Sequence, residues 1–91
     1  MSQEQRIVHF DGDVQGVGFR YAACRVAESY EVTGYVRNLP DGRVECLAEG
    51  TPEEIDAFLR ELTRHMGHYI RRTTQQSQPY SGAYKSFTVR F

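Results

Sequence analysis

Gly16 and Gly18 flank Val17 in the run Val14-Gln15-Gly16-Val17-Gly18-Phe19-Arg20, which follows a strand-like segment and opens a helix-like one. A backbone with glycines so placed can turn sharply and aim consecutive N–H groups at one point. The first N–H groups of a helix have no partner inside it, and the aligned peptide dipoles add about half a positive charge there. Together these features suit an anion of phosphate size, and Arg20 brings a full charge and a planar fork of donors beside them. On its own the same pattern also serves a tight strand-to-helix turn that holds no ligand. Two nucleotide-type phosphate loops are excluded. No Gly-Lys-Ser/Thr closes the run, and no GxGxxG with an acidic residue after the next strand is present.

The elements that must position this loop follow from hydrophobic spacing. Ile7 to Phe10 reads as a first strand, ended by the turn-prone Asp11, Gly12 and Asp13. Ala22, Ala23, Val26, Ala27 and Tyr30 recur at helical spacing behind the loop. Val32 to Leu39 is a second strand, Pro40-Asp41-Gly42 a turn, and Val44, Cys46 and Ala48 the buried face of a third strand. Thr51 as N-cap, Pro52 at the first helical position and Glu54 placed to close a capping box start a second helix. Ile55, Phe58, Leu59, Leu62 and Met66 form its apolar face, and Gly67 is placed to stop it. His68 to Arg72 reads as a further strand and Thr73 to Ser86 as polar and turn-rich, its middle unassigned. Phe87, Val89 and Phe91 alternate as a last strand. The order βαββαβ implies an α+β sandwich, two helices packed on one face of a mostly antiparallel sheet.

Composition bounds the partners. The 91 residues allow one domain, 1–91, and eleven aromatics in a 40% hydrophobic chain are a folded composition. Eleven Lys and Arg against twelve Asp and Glu leave a net charge of −1, which argues against a broad grip on nucleic acid or anionic lipid. Any anion site must be local. Two cysteines, Cys24 and Cys46, form neither a CxxC pair nor a zinc spacing. Met1 to Arg6 is polar, and no apolar run approaches the roughly 20 residues that cross a bilayer. A monomer in the reducing cytoplasm, away from nucleic acid and membrane, is the expectation.

Gly12 to Arg20, followed by Gly34-Tyr35-Val36-Arg37-Asn38-Leu39-Pro40-Asp41-Gly42-Arg43-Val44-Glu45, resembles the two signature stretches of the acylphosphatases. The likeness runs in order and element type to about Gly67 and includes the final alternating strand. It implies a ferredoxin-like fold and hydrolysis of an acyl phosphate, a small-molecule substrate, to a carboxylate and inorganic phosphate. In that family the arginine matching Arg20 binds the phosphoryl group together with the loop amides, here Gln15, Gly16, Val17, Gly18 and Phe19. The asparagine matching Asn38 positions the attacking water. Two departures stand out: Tyr35 occupies a place where many relatives carry Trp, and Gly67-His68 replaces the usual Gly-Pro after the second helix.

The chemistry agrees with that assignment. An acyl phosphate expels a carboxylate whose conjugate acid has a pKa of about 4, whereas a monoester must expel an alkoxide closer to water's roughly 15.7. The first reaction needs no general acid, so amides, one arginine and one asparagine suffice, with neither metal nor cofactor. Asn38 can hold a water through its carbonyl without presenting negative charge to the phosphoryl group. Cys24, about a turn into the helix, reads as a small buried hydrophobe rather than a nucleophile. Arg37 points away from the site if its strand is regular. His65 and His68 have HxxH spacing but no third ligand, His9 is a sheet residue, and Arg71 and Arg72 form a solvated pair. A noncatalytic phosphoryl-binding or partner-binding domain on the same fold is the alternative. An RNA-binding sheet is disfavoured by Glu45 and Glu49 on the third strand.

Overall fold

A computed structural model of the chain describes residues 2–91. Five strands form one sheet in the order β4-β1-β3-β2-β5. They are β1 (Glu4–Gly12), β2 (Thr33–Asn38), β3 (Val44–Gly50), β4 (Ile70–Pro79) and β5 (Phe87–Val89). Helices α1 (Phe19–Ala27) and α2 (Pro52–Met66) pack on one face. All strand pairs are antiparallel except β2 with β5. This is the ferredoxin-like α+β arrangement, with a fifth strand added beside β2.

The apolar alternation decides which face each strand residue takes. Val8, Phe10, Val36, Val44, Cys46 and Ala48 point into the core, where they meet Ile55, Phe58, Leu59 and Leu62 of α2 and Phe19, Ala23 and Val26 of α1. Phe58 also packs on Phe87 of β5, with ring centroids 5.2 Å apart. β3 departs from the expected half-buried strand, because every one of its residues is buried. The segment from Tyr80 to Ser86 joins opposite edges of the sheet and crosses the face away from the helices. There Glu49 accepts from the Ser81 N–H at 2.8 Å, the Ser81 hydroxyl at 2.7 Å and the Gly82 N–H at 3.1 Å. Tyr84 meets Tyr35 at 5.9 Å between ring centroids. A polar connection thus covers a polar sheet face, which hydrophobic patterning does not register.

The helix signals are met in part. The Thr51 hydroxyl accepts from the Glu54 N–H at 3.3 Å, but the Glu54 carboxylate turns to the Glu31 N–H at 2.7 Å, so the capping box is only half formed. Gly67 keeps a right-handed φ of −59° and the chain continues into a single 3-10 turn, Gly67–Tyr69. β1 extends through the expected turn to Gly12, because β4 runs alongside and pairs Gly12 with Ile70 across a bulge. α1 begins at Phe19 and ends before Tyr30, whose hydroxyl donates to Glu61 at 2.6 Å. The unassigned stretch is largely β4, an edge strand whose residues after Ile70 are all exposed. Having no buried face, it shows no alternation. β5 stops at Val89, and Phe91 projects beyond it.

Candidate active site

The two helices begin in opposite ways. α2 has a side-chain cap in Thr51, which accepts from the Glu54 N–H, proline in its first turn, and acids at Glu53 and Glu54 that complement its dipole. α1 starts at Gly18, which has no side chain to offer, has no acid in its first turn, and places Arg20 there instead. A cation at that end opposes the helix dipole. Departures of this kind from local preference mark places where an external group completes the interactions. A helix start of this kind, with Arg20 in its first turn, can receive an anion.

The loop holds its shape through its ends. Val14 and Phe19 are fully buried, and the Phe19 ring packs against Phe10 at 4.9 Å between centroids. Between these anchors Gly16 and Gly18 take φ of 76° and 81°, left-handed values that a side chain resists. The Gln15 side-chain amide donates to the Leu39 carbonyl at 2.8 Å and to the Arg43 carbonyl at 3.0 Å. That side chain ties the loop to the β2–β3 hairpin, whose own turn is closed by the Leu39 N–H donating to Arg43 at 2.8 Å. Asn38, the last residue of β2, shares the inward parity of Val36 and so emerges on the loop side of the sheet. Arg37 lies on the other face, with Nε 2.9 Å from Glu45.

Gly16, Gly18, Phe19, Arg20 and Asn38 line one pocket of 340 Å3. Its size is at the low end of the roughly 300–1,000 Å3 found for small-molecule sites. Two loop residues from the sequence-based set lie off its wall. Gln15 is turned to the hairpin, and Val17 packs against the edge of the core. Val14, Tyr21, Cys24, Val89 and Phe91 complete the lining. Tyr21 and Cys24 follow from a helix register that starts at Phe19. Val89 and Phe91 had no local signal, because only the parallel pairing of β5 with β2 brings them here. Cys24 is half-buried at the pocket wall rather than enclosed in the core. Burial, with Glu28 nearby, pushes its thiol above the ordinary value, which keeps it protonated at neutral pH and a poor nucleophile.

The remaining candidates lie elsewhere. His9 shares a hydrogen bond with Glu45 at 2.9 Å on the face away from the helices, and His65 rests 3.7 Å from Glu61 on α2. Arg71 lies 3.6 Å from Asp13, with both side chains exposed. Tyr35 is buried, but on the outer face, where its hydroxyl donates to Glu45 at 2.7 Å and Arg90 stacks on its ring at 4.1 Å. Among the described residues, no three His, Cys, Asp or Glu side chains are grouped to hold a metal ion, and no helix is long and apolar enough to cross a membrane.

The acylphosphatase family model matches residues 6–89. An acylphosphatase of Methylococcus capsulatus is 58% identical over 81 residues, covering 86% of both chains. One from Methanospirillum hungatei is 44% identical over 81 residues, covering 87% of this chain and 88% of the relative. The crystal structure of acylphosphatase from Bacillus subtilis superposes with a TM-score of 0.86 at 28% identity, covering 97% of this chain and 99% of the other.

Proposed function

The chain belongs to the acylphosphatase family and is an acyl phosphate hydrolase, and from that premise we propose how its own residues carry the reaction. The phosphoryl group of the substrate sits at the N-terminus of α1, taken by the N–H groups of Gln15 to Phe19 and by the Arg20 guanidinium. Asn38, in the lining of the same pocket, holds a water by its side-chain carbonyl. The water oxygen bonds to phosphorus as the bond between phosphorus and the acyl oxygen breaks. That oxygen leaves with the bonding pair as a carboxylate, and the water proton passes to solvent. The loop and Arg20 hold negative charge on the phosphoryl oxygens throughout, so the barrier falls through positioning and preorganised electrostatics. The products are a carboxylate and inorganic phosphate.

The observation that supports this reading is the convergence, on one pocket, of an uncapped helix start, Arg20 and Asn38. Hydrolysis of benzoyl phosphate in the presence of chelator tests it. Removing a charge-assisted donor of this kind costs about 10²–10³ in kcat. Arg20→Ala should therefore lose turnover and inhibition by free phosphate together. Asn38→Ala should lose turnover by a similar factor while phosphate still inhibits it. Wild-type-like hydrolysis by either variant overturns the assignment, and phosphate binding without turnover in the unmodified protein selects the noncatalytic alternative. We read residues 1–91 as one domain around one core, acting as a cytoplasmic monomer. The free thiols of Cys24 and Cys46 fit a reducing compartment.

A further inference from the structure

The pocket has a second half that phosphoryl chemistry does not use. Besides the glycines, Arg20 and Asn38, its lining holds Tyr21 and Cys24 of α1 together with Val89, the last residue of β5, and Phe91 beyond it. No carboxylate and no second cation stand in that lining. Only three large apolar side chains are strongly exposed among the described residues, and two of them, Tyr21 at 69% and Phe91 at 99%, border this one pocket. Exposed rings gathered at a concave site mark a surface that gains by being covered. The Phe91 ring also lies over the Arg20 guanidinium, its centroid 5.2 Å from the central carbon, within the range of a cation–π contact. It stands beside the charge that receives the phosphoryl group.

Size and charge narrow what fits. At 340 Å3 the pocket falls in the range of small-molecule sites and has room for an acyl group beside the phosphoryl group. With Arg20 engaged by the phosphoryl group, a second negative charge on the acyl part would find no partner in this wall and would lose hydration there. We infer that the wall formed by Tyr21, Cys24, Val89 and Phe91 seats the acyl group, so that the enzyme selects acyl phosphates whose acyl part is apolar, with Tyr21 and Phe91 as specificity-determining residues. The inference rests on the acyl phosphate reading above.

The test compares kcat/KM for benzoyl phosphate and acetyl phosphate in the unmodified protein, in Tyr21→Ser, in Phe91→Ser and in the double variant. The change in the ratio between protein and variant cancels the intrinsic reactivity of the two substrates. Each single substitution should lower the benzoyl-to-acetyl ratio about fivefold to tenfold, and the double variant further, from loss of apolar contact. Tyr21→Phe and Phe91→Leu should restore most of it. Both side chains are exposed, so folding is preserved, which the thermal transition checks. An unchanged ratio in the double variant, with both substrates still turned over, overturns the acyl wall alone. Absence of turnover of either substrate by the unmodified protein overturns the wall and the hydrolase reading together.

Discussion

At the scale of single residues, the site depends on a few positions whose local preferences are set aside. Gly18 begins α1 with a φ of 81°, and a Cβ built there would meet nothing within 4 Å. The requirement for glycine is therefore conformational rather than steric. Gly18→Ala should destabilise the fold by about 1–2 kcal/mol, the cost of a left-handed L-residue, and Gly18→Asn by less. Urea unfolding of the two variants measures this. Equal stability of Gly18→Ala and the parent protein would show that the loop relaxes out of its left-handed turn. Arg20 departs in charge as Gly18 does in conformation, a cation where the helix dipole favours an anion. Such residues are legible in sequence because the loop, the helix start and the charge are neighbours in the chain.

At the scale of elements, the Gly16–Gly18 loop and the β2–β3 hairpin must stay in register if Arg20 and Asn38 are to act on one group. Gln15 provides that tie, donating to both the Leu39 and Arg43 carbonyls. The sequence points to this residue's backbone N–H, yet it is the side chain that bridges the loop and the hairpin. Gln15→Ala should lower kcat about tenfold while phosphate inhibition changes much less, since the α1 N-terminus and Arg20 are untouched. Gln15→Glu should not rescue the rate, because a carboxylate cannot donate to two carbonyls. A kinetic comparison of the two variants checks this, and parent-like kcat in Gln15→Ala would remove the tie from the account. No spacing rule reveals this bond. It joins residues far apart in the chain, and its acceptors are backbone groups that any sequence would supply.

At the scale of the whole molecule, the outer face of the sheet carries a buried polar layer that links folding to pH. Burial pushes the Glu45 carboxyl up, but hydrogen bonds from Tyr35, His9 and Arg37 outweigh it and hold the group below the ordinary 4.5. Burial likewise raises Glu49, and the Ser81 hydroxyl and N–H, Gln5 and the Gly82 N–H outweigh it. Both carboxyls bind their proton less readily in the fold than in the unfolded chain. Their stabilisation is therefore present above about pH 4.5 and is lost as pH falls through their folded values. Tyr35 works at the other limit. Burial and its hydrogen bond to Glu45 push its hydroxyl from 10 up to about 12, so this contribution holds below pH 10 and is lost between pH 10 and about 12. Unfolding free energies across pH should fall at both ends. Glu45→Gln should flatten the acid limb and Tyr35→Phe the alkaline one. An alkaline limb as steep in Tyr35→Phe as in the parent would place its origin elsewhere.

The βαββαβ order, the core faces and the start of α2 are legible in the chain, as is the glycine-and-arginine pattern from which anion binding at the loop is proposed. These rest on short-range physics: hydrophobic period, capping, the conformational freedom of glycine and a charge next to a helix end. Long-range contacts alone set the parallel pairing of β5 with β2, the cover of the outer face by the 80–86 segment, and the gathering of Tyr21, Cys24, Val89 and Phe91 in one pocket lining with Arg20. β4 and that segment are polar and lack alternation, so burial pattern is silent about them. Their places are set by edge pairing and by carboxylates that need donors, interactions whose partners lie many residues away.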